Sequence, residues 1–285
     1  MVYAPAIRRQ SEVNPWLVPR GPLTVDRDDD IAGGLACCIV PTTAMGIVDL
    51  VTRTKPNAQT DTAGIRRETR GLTIDCTTNA AGDGAVKFPA SERYQLTGDI
   101  DFSWFWIFKP IGIAGIYPTT CGAIGSTADA GRWLFTAAAG SRLIQICTTP
   151  GSTTNINFSS AGNWPTTVKW YSIGFTRKTG GTYKAYQDGV LLDTQSNGSI
   201  ASGTDADGSV FLGSTDGQRS RSYHGCLYVW KRRLLSDIEM RALHAKPYRV
   251  VRADFPDYVS RAGTSPPPPP PSNNNYFLPL LGVGD

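Results

Sequence analysis

The chain has 285 residues, with 30 glycines, 20 prolines, 40% hydrophobic residues and a net charge of +4; that length suits one all-β domain of about 200–250 residues. Glutamate occurs only at Glu12, Glu68, Glu92 and Glu239, and so few helix formers favour short strands and many turns. No apolar run approaches the ~18 residues of a membrane-spanning helix, and Met1 to Gln10 shows no secretory signal, having arginines but no apolar stretch behind them.

Residues 1–30 read as an extended arm, because Pro5, Pro15, Pro19 and Pro22 rule out a regular helix. Trp16 and Leu17 are the arm's apolar anchors, candidates for docking on the parent domain or on a neighbouring subunit. The acidic run Asp26-Arg-Asp-Asp-Asp30 reads as an exposed turn in preference to a cation site. Gly34 to Val40 and Ile47 to Val51 predict an early strand pair. Gly71 to Thr77 and Gly84 to Phe88 predict two more strands, joined by a turn at Gly82 to Gly84.

Asp101 to Phe108 is the most apolar stretch, with aromatics on both faces. A central strand of a two-sheet sandwich would bury one face in the core. The other face then needs a cover, from a loop, the N-terminal arm or a partner. Packing is the expected use of these rings, ahead of a stacking platform for sugars. Trp133 to Phe135 and Leu143 to Ile146 predict the next hairpin.

From Lys169 to Ala245 the pattern is densest. Tyr171, Ile173 and Phe175 alternate with Ser172, Gly174 and Thr176, the period of a half-buried strand. Gly180-Gly181 turns the chain into a strand from Thr182 to Gln187. Asp188-Gly189 signals a type I′ hairpin, whose two central residues need φ > 0. Strands follow at Val190 to Thr194, Val210 to Gly213 and Tyr223 to Trp230. Ser236-Asp-Ile-Glu239 is a capping box opening a helix that Pro247 ends. Leu235 and Met240 are its staple, with Ile238, Ala242 and Leu243 as its expected apolar face.

Residues 248–261 read as an arm packed along the domain, and 262–285 as a proline-rich linker with an apolar docking peptide. Pro266 to Pro271 predicts polyproline II, about 19 Å long at ~3.1 Å per residue. Tyr276, Phe277, Leu278, Leu280 and Leu281 are the docking candidates, on a neighbouring subunit or back on the same domain.

Catalytic and metal signatures are sparse. The six cysteines show no metal-ligand spacing and read as buried free thiols. His224 and His244 have no nucleophile elbow near them. Lys231-Arg232-Arg233 and the other short basic clusters lack interleaved aromatics, so they read as solvated faces and not as a nucleic-acid groove.

"WYSIGFTRKTGGTYKAYQDGVLLDT", "VFLGS" and "YHGCLYVWKRRLLSDIEMRALHA" together resemble laminin-G-like, concanavalin A-like jelly-roll domains. Tyr186-Gln-Asp-Gly189 matches the family's hairpin, and Leu235 to His244 its terminal helix, with His244 in place of the usual aromatic. Phe102 to Pro110 resembles the family's aromatic strand, so the likeness runs from about Gly84 to Ala245. It implies an all-β, two-sheet antiparallel jelly-roll sandwich over 31–247, with one short C-terminal helix and extended terminal arms. Related jelly-roll glucanases carry an "ExDxxE" strand, which is absent here, so no enzyme is expected. Such folds often hold calcium at the rim, which makes Asp205, Asp207 and Asp216 the candidate ligands; no other cofactor is expected. Trp133, Trp164, Tyr183 and Tyr223 are the candidate glycan contacts.

"MVYAPAIRRQ" and "GLACCIV…IVDLVTR" resemble the opening of laminin-G-like proteins in tailed phages. This resemblance implies a structural protein of a virion, made in the host cytoplasm and decorating the particle surface. Its partners would be other virion proteins, copies of itself among them, with no nucleic acid and no membrane. The alternative is a glycan-binding adhesin that meets a host-surface glycan.

Overall fold

The computed structural model describes residues 16, 18–19, 21–56, 58–59, 64–68, 71–76, 86–89, 91–94, 100–111, 119–121, 133–138, 141–149, 152–157, 168–196, 210–212 and 222–254. Within 58–59 and 119–157, and at 211, the description is of the backbone only.

The strands in chain order are β1 (Leu23–Val25), β2 (Leu35–Thr42), β3 (Gly46–Asp49), β4 (Ala58–Gln59), β5 (Gly64–Glu68) and β6 (Gly71–Asp75). Then come β7 (Val86–Lys87), β8 (Phe102–Pro110), β9 (Thr119–Cys121), β10 (Trp133–Ala138), β11 (Ser141–Thr149) and β12 (Ser152–Asn157). The last are β13 (Tyr171–Lys178), β14 (Thr182–Gln187), β15 (Val190–Ser196), β16 (Phe211–Leu212), β17 (Ser222–Lys231), helix α1 (Asp237–Ala245) and β18 (Val251–Ala253). The protein is an all-β, two-sheet antiparallel sandwich of jelly-roll type with one short C-terminal helix. One sheet runs β12-β11-β10-β9-β16-β7-β4. The other runs β15-β14-β13-β8-β17-β2-β3, with β6 also beside β17 and β5 beside β6.

The chain does not turn directly from β6 into β7, as its sequence led us to expect. β6 pairs with β17 in one sheet, and β7 pairs with β16 and β4 in the other, so the chain crosses the sandwich between them. β5 forms a hairpin with β6 that the sequence did not announce. Its residues Ile65, Arg66, Arg67 and Glu68 lack the alternation of a strand with one buried face.

β8 is the centre of the larger sheet, between β13 and β17. Its two faces feed two cores. Phe102, Trp104, Trp106 and Phe108 join Tyr171, Ile173 and Phe175 between the sheets. Phe105 and Ile107 join Tyr228 and Trp230 on the outer face. That outer face is covered by the chain itself. Val18, Leu23, Val25 and Ile31 pack on it from the N-terminal side, and Met240, Leu243, Tyr248 and Val250 from the C-terminal side.

Residues 21–32 and 246–254 are thus tied to one another and to the sheet. β1 pairs antiparallel with β18. The acidic run supplies clamps: Arg249 Nε donates to Asp29 Oδ2 at 2.8 Å, and Arg252 Nη1 to Asp28 Oδ2 at 2.7 Å. Arg233 Nη1 donates to the Asp30 carbonyl at 2.7 Å, fixing the 3₁₀ turn Asp30–Ala32 against the start of α1.

This cover changes the reading of β13, whose residues Tyr171 to Arg177 are buried on both faces and not on one. It also decides the helix face. Met240 and Leu243 are buried, but Ile238 is 76% exposed, because α1 turns Met240 and Leu243 towards β13 and leaves Ile238 on the opposite side. The capping box forms as expected, with Glu239 N donating to Ser236 Oγ and Ser236 N to Glu239 Oε2. Asp188 and Gly189 adopt φ of 51° and 77°, the I′ hairpin.

Candidate functional site

A polar cluster lies where the C-terminal half of α1 meets the start of β13 and the β14–β15 turn. Ser172 Oγ and His244 Nδ1 are 2.8 Å apart. Asp188 Oδ1 accepts from Ser172 N at 3.1 Å, and Asp188 N donates back to Ser172 O at 2.8 Å. Lys169 Nζ lies 3.3 Å from Asp188 Oδ2 and 4.7 Å from the centroid of Tyr171. Trp16 stands edge-on to His244, with ring centroids 5.3 Å apart. Gly189 permits the close approach: a Cβ there would meet His244 Cβ at 2.9 Å.

The cluster has a serine, a histidine and an aspartate, but not in a hydrolytic order. A triad needs the acid on the imidazole and the serine open to substrate. Here Asp188 holds the backbone of Ser172, and Ser172 is buried. What the arrangement does is fasten helix, hairpin and N-terminal segment together.

The second Ser–His pair is deeper. Trp106 Nε1 donates to His224 Nδ1 at 3.1 Å, and Ser222 Oγ lies 2.9 Å from His224 Nε2. An indole N–H can only donate, so Nδ1 accepts and Nε2 carries the proton towards Ser222. Burial alone holds His224 neutral, pushing its pKa down to about 3.

Asp49 is a third buried polar centre. It accepts from Cys38 N, Val51 N, Thr52 Oγ1 and Tyr94 Oη, the last at 2.6 Å. Burial, then the neighbouring Cys37 and Asp49, raises the Tyr94 phenol well above its usual range. These bonds tie the loop after β3 to residues 91–94. Cys37, Cys38, Cys76 and Cys226 are buried free thiols whose pKa values burial raises.

Among the described residues, those singled out from sequence do not converge on one place. Tyr183 is buried in the inter-sheet core with its ring 5.9 Å from Phe175, so it offers no sugar platform. Tyr223 is 6% exposed and lies between Arg66 and Lys109, each 5.5 Å from its ring centroid. Trp16 packs on its own domain at His244. Trp133 is described only as backbone in β10. Leu17, Trp164, Asp205, Asp207, Asp216, Tyr276, Phe277, Leu278, Leu280 and Leu281 lie outside the described residues. Among the described residues no group of three or more His, Cys, Asp or Glu could hold a metal ion. Among the described residues none of the exposed large apolar residues is aromatic; they include Val190, Leu191 and Ile238 at the β15 edge and on α1.

No protein-family model matches the chain, and no curated protein matches it. Solved structures do. The chain is similar to the binding domain of Paraclostridial Mosquitocidal Protein 1, at 15% identity and a TM-score of 0.60, over 77% of this chain and 54% of that one. It is similar to the binding domain of Botulinum neurotoxin DC, solved in complex with rat synaptotagmin II, at 13% identity and a TM-score of 0.56, over 75% and 52%. A botulinum neurotoxin type C structure, from work on cell entry dependent on two ganglioside molecules, gives 12% identity and a TM-score of 0.57, over 75% and 51%. The chain spans about half the length of these structures. At such identities the likeness is one of fold: this chain is a jelly-roll β-sandwich built like part of several toxin binding domains.

Proposed function

We propose that the chain is a non-enzymatic binding module that decorates the surface of a tailed-phage particle, with copies meeting through their terminal segments. One observation carries the non-enzymatic part. Both histidines are spent on structural bonds, His224 inside the sheet and His244 under Trp16, and the fold is shared with binding domains. The virion part rests on the phage-like opening and on the proline run ahead of the apolar 276–281 segment. In this reading Tyr276, Phe277, Leu278, Leu280 and Leu281 dock on a neighbouring subunit, with Leu17 as a lesser contact. Free buried thiols suit a protein made in the host cytoplasm.

Limited proteolysis with mass spectrometry tests the proposal, on free protein and on particles. Residues 1–15 and 262–285 are expected to be cut in the free protein and protected on the particle. Equal cutting in both states would overturn the docking role.

A glycan-binding adhesin is the second reading. It is favoured by neighbours whose structures are described with gangliosides and with SialylT. A glycan screen on residues 16–254 separates the two. Binding by that core alone supports the adhesin, and particle attachment that needs the terminal segments supports decoration.

A further inference from the structure

One corner of the molecule gathers exposed aliphatic side chains. Val190 and Leu191 open β15 and are 62% and 38% exposed. Leu191 stands opposite Tyr186, whose Oη donates to Asp237 at 2.8 Å, and Ile238, 76% exposed, follows Asp237 on α1. Val168, also exposed, precedes Lys169, which reaches Asp188 in the turn just before β15. Among the described residues β15 is the end strand of its sheet, and edges with apolar patches are where other chains attach. This edge is not built for adding a strand: the register shifts at Leu192, and Asp193 Oδ1 already accepts from Thr194 N at 2.7 Å. Contact here is made by side chains.

The described chain begins at the same corner. Trp16 stands edge-on to His244, with ring centroids 5.3 Å apart, and a Cβ on Gly189 would meet His244 Cβ at 2.9 Å, one residue before Val190. Residues 1–15 therefore start beside the patch. They carry Tyr3, Ile7 and Val13, with the basic pair Arg8-Arg9 between the last two. The one charge of β15 is Asp193, of the opposite sign. Trp16 back to Ile7 spans about 30 Å of extended chain, whereas α1 rises only about 9 Å from Ile238 to His244. The arm is long enough to leave its own copy and cross this corner of another.

We infer that this corner seats residues 1–15 of a second copy, in a reciprocal exchange. A two-fold axis brings like surfaces together, so each arm starts beside the corner that it fills. Ile7 and Val13 supply the apolar contacts to Val190, Leu191 and Ile238, and Arg8 and Arg9 complement Asp193. The inference rests on the reading that copies meet through their terminal segments, and it names where the N-terminal one lands.

The test uses the full chain with a photoreactive benzoylphenylalanine in place of Ile7 or Val13. Equal amounts of isotope-labelled and unlabelled protein are mixed, irradiated and mapped by mass spectrometry. The expected cross-links run from these positions to residues 190–192 or 238–241 and join a labelled chain to an unlabelled one. The double variant Val190→Glu with Ile238→Glu should self-associate at least about tenfold more weakly in analytical ultracentrifugation, because each carboxylate must enter an apolar contact. Its Tm should match the parent's, since both side chains are exposed. Cross-links confined to chains of one isotope place the arm on its own copy and overturn the inference. Cross-links that map elsewhere overturn it too, as does a parent that does not self-associate or a double variant that associates as the parent does. Particles carrying the double variant separate this inference from the reading beneath it: residues 1–15 still protected there leave terminal docking intact and remove only this seat.

Discussion

His224 is the residue whose environment makes the sharpest statement. Its ring is fully buried, stacked at 5.6 Å on Trp106, and its Nδ1 already accepts the indole N–H. Burial disfavours the charged imidazolium, so the folded state resists protonation and the pKa falls to about 3. The unfolded chain protonates this histidine near its ordinary value of about 6.5. Between those two values the unfolded state binds more protons, so stability is full above about pH 6.5 and declines as the pH falls towards 3. Each unit of that window is worth about 1.4 kcal/mol, which predicts a loss of about 2 kcal/mol from this group by pH 5. Urea unfolding at pH 7.5 and pH 5 should show it, at about those conditions. His224→Gln, which can still accept from Trp106, should be less stable at neutral pH but should lose much of the slope. A variant with the parent's slope would place the acid sensitivity elsewhere. Sequence alone showed His224 at a strand start; that its Nδ1 accepts from Trp106 follows from β17 lying beside β8, with Phe108 opposite His224 and Trp106 two residues along, a long-range pairing no local pattern reveals.

At the scale of elements, turn and cap chemistry was the most legible part of the chain. The I′ hairpin at Asp188-Gly189 and the capping box at Ser236 and Glu239 are set by residues within four positions of one another. Ser236→Ala should cost about 1 kcal/mol in thermal or urea unfolding. The two close-packed glycines should differ. Gly174→Ala meets Met240 Sδ at 2.7 Å, the end of a flexible side chain that can shift. Gly189→Ala meets His244 Cβ at 2.9 Å and Arg241 Cα at 3.3 Å, and it must also hold φ of 77°. Gly189→Ala is expected to be the more damaging, by about 1 kcal/mol or more, which side-by-side melts would check. What sequence did not reveal was sheet membership. The strands at 71–75 and 86–87 carry the same alternation whichever sheet they join, and only the completed sandwich decides. The face of α1 was misjudged for a related reason: Ile238 and Leu243 are both apolar, and the sheet position selects between them.

At the scale of the whole molecule, the outer face of β8 and β17 governs what can be removed. The sequence posed the problem, since Phe102 to Phe108 is aromatic on both sides, but it left the cover open. In the structure the cover includes residues 18–32, with Val18, Leu23, Val25, Ile31 and Ala32 each at most 6% exposed. At about 1.5–3 kcal/mol for each large side chain, burial of this segment contributes on the order of 8 kcal/mol. A whole domain is stable by only about 5–15 kcal/mol. A chain starting at residue 33 should therefore not hold its native fold: it should bind a hydrophobic dye strongly and aggregate, with Phe105, Ile107, Tyr228 and Trp230 uncovered. A chain starting at residue 16 keeps the covering contacts seen among the described residues and should melt within a few degrees of the parent. If the chain starting at 33 melts cooperatively like the parent, the cover is dispensable, and the outer face must be sealed by the helix and residues 246–254 alone.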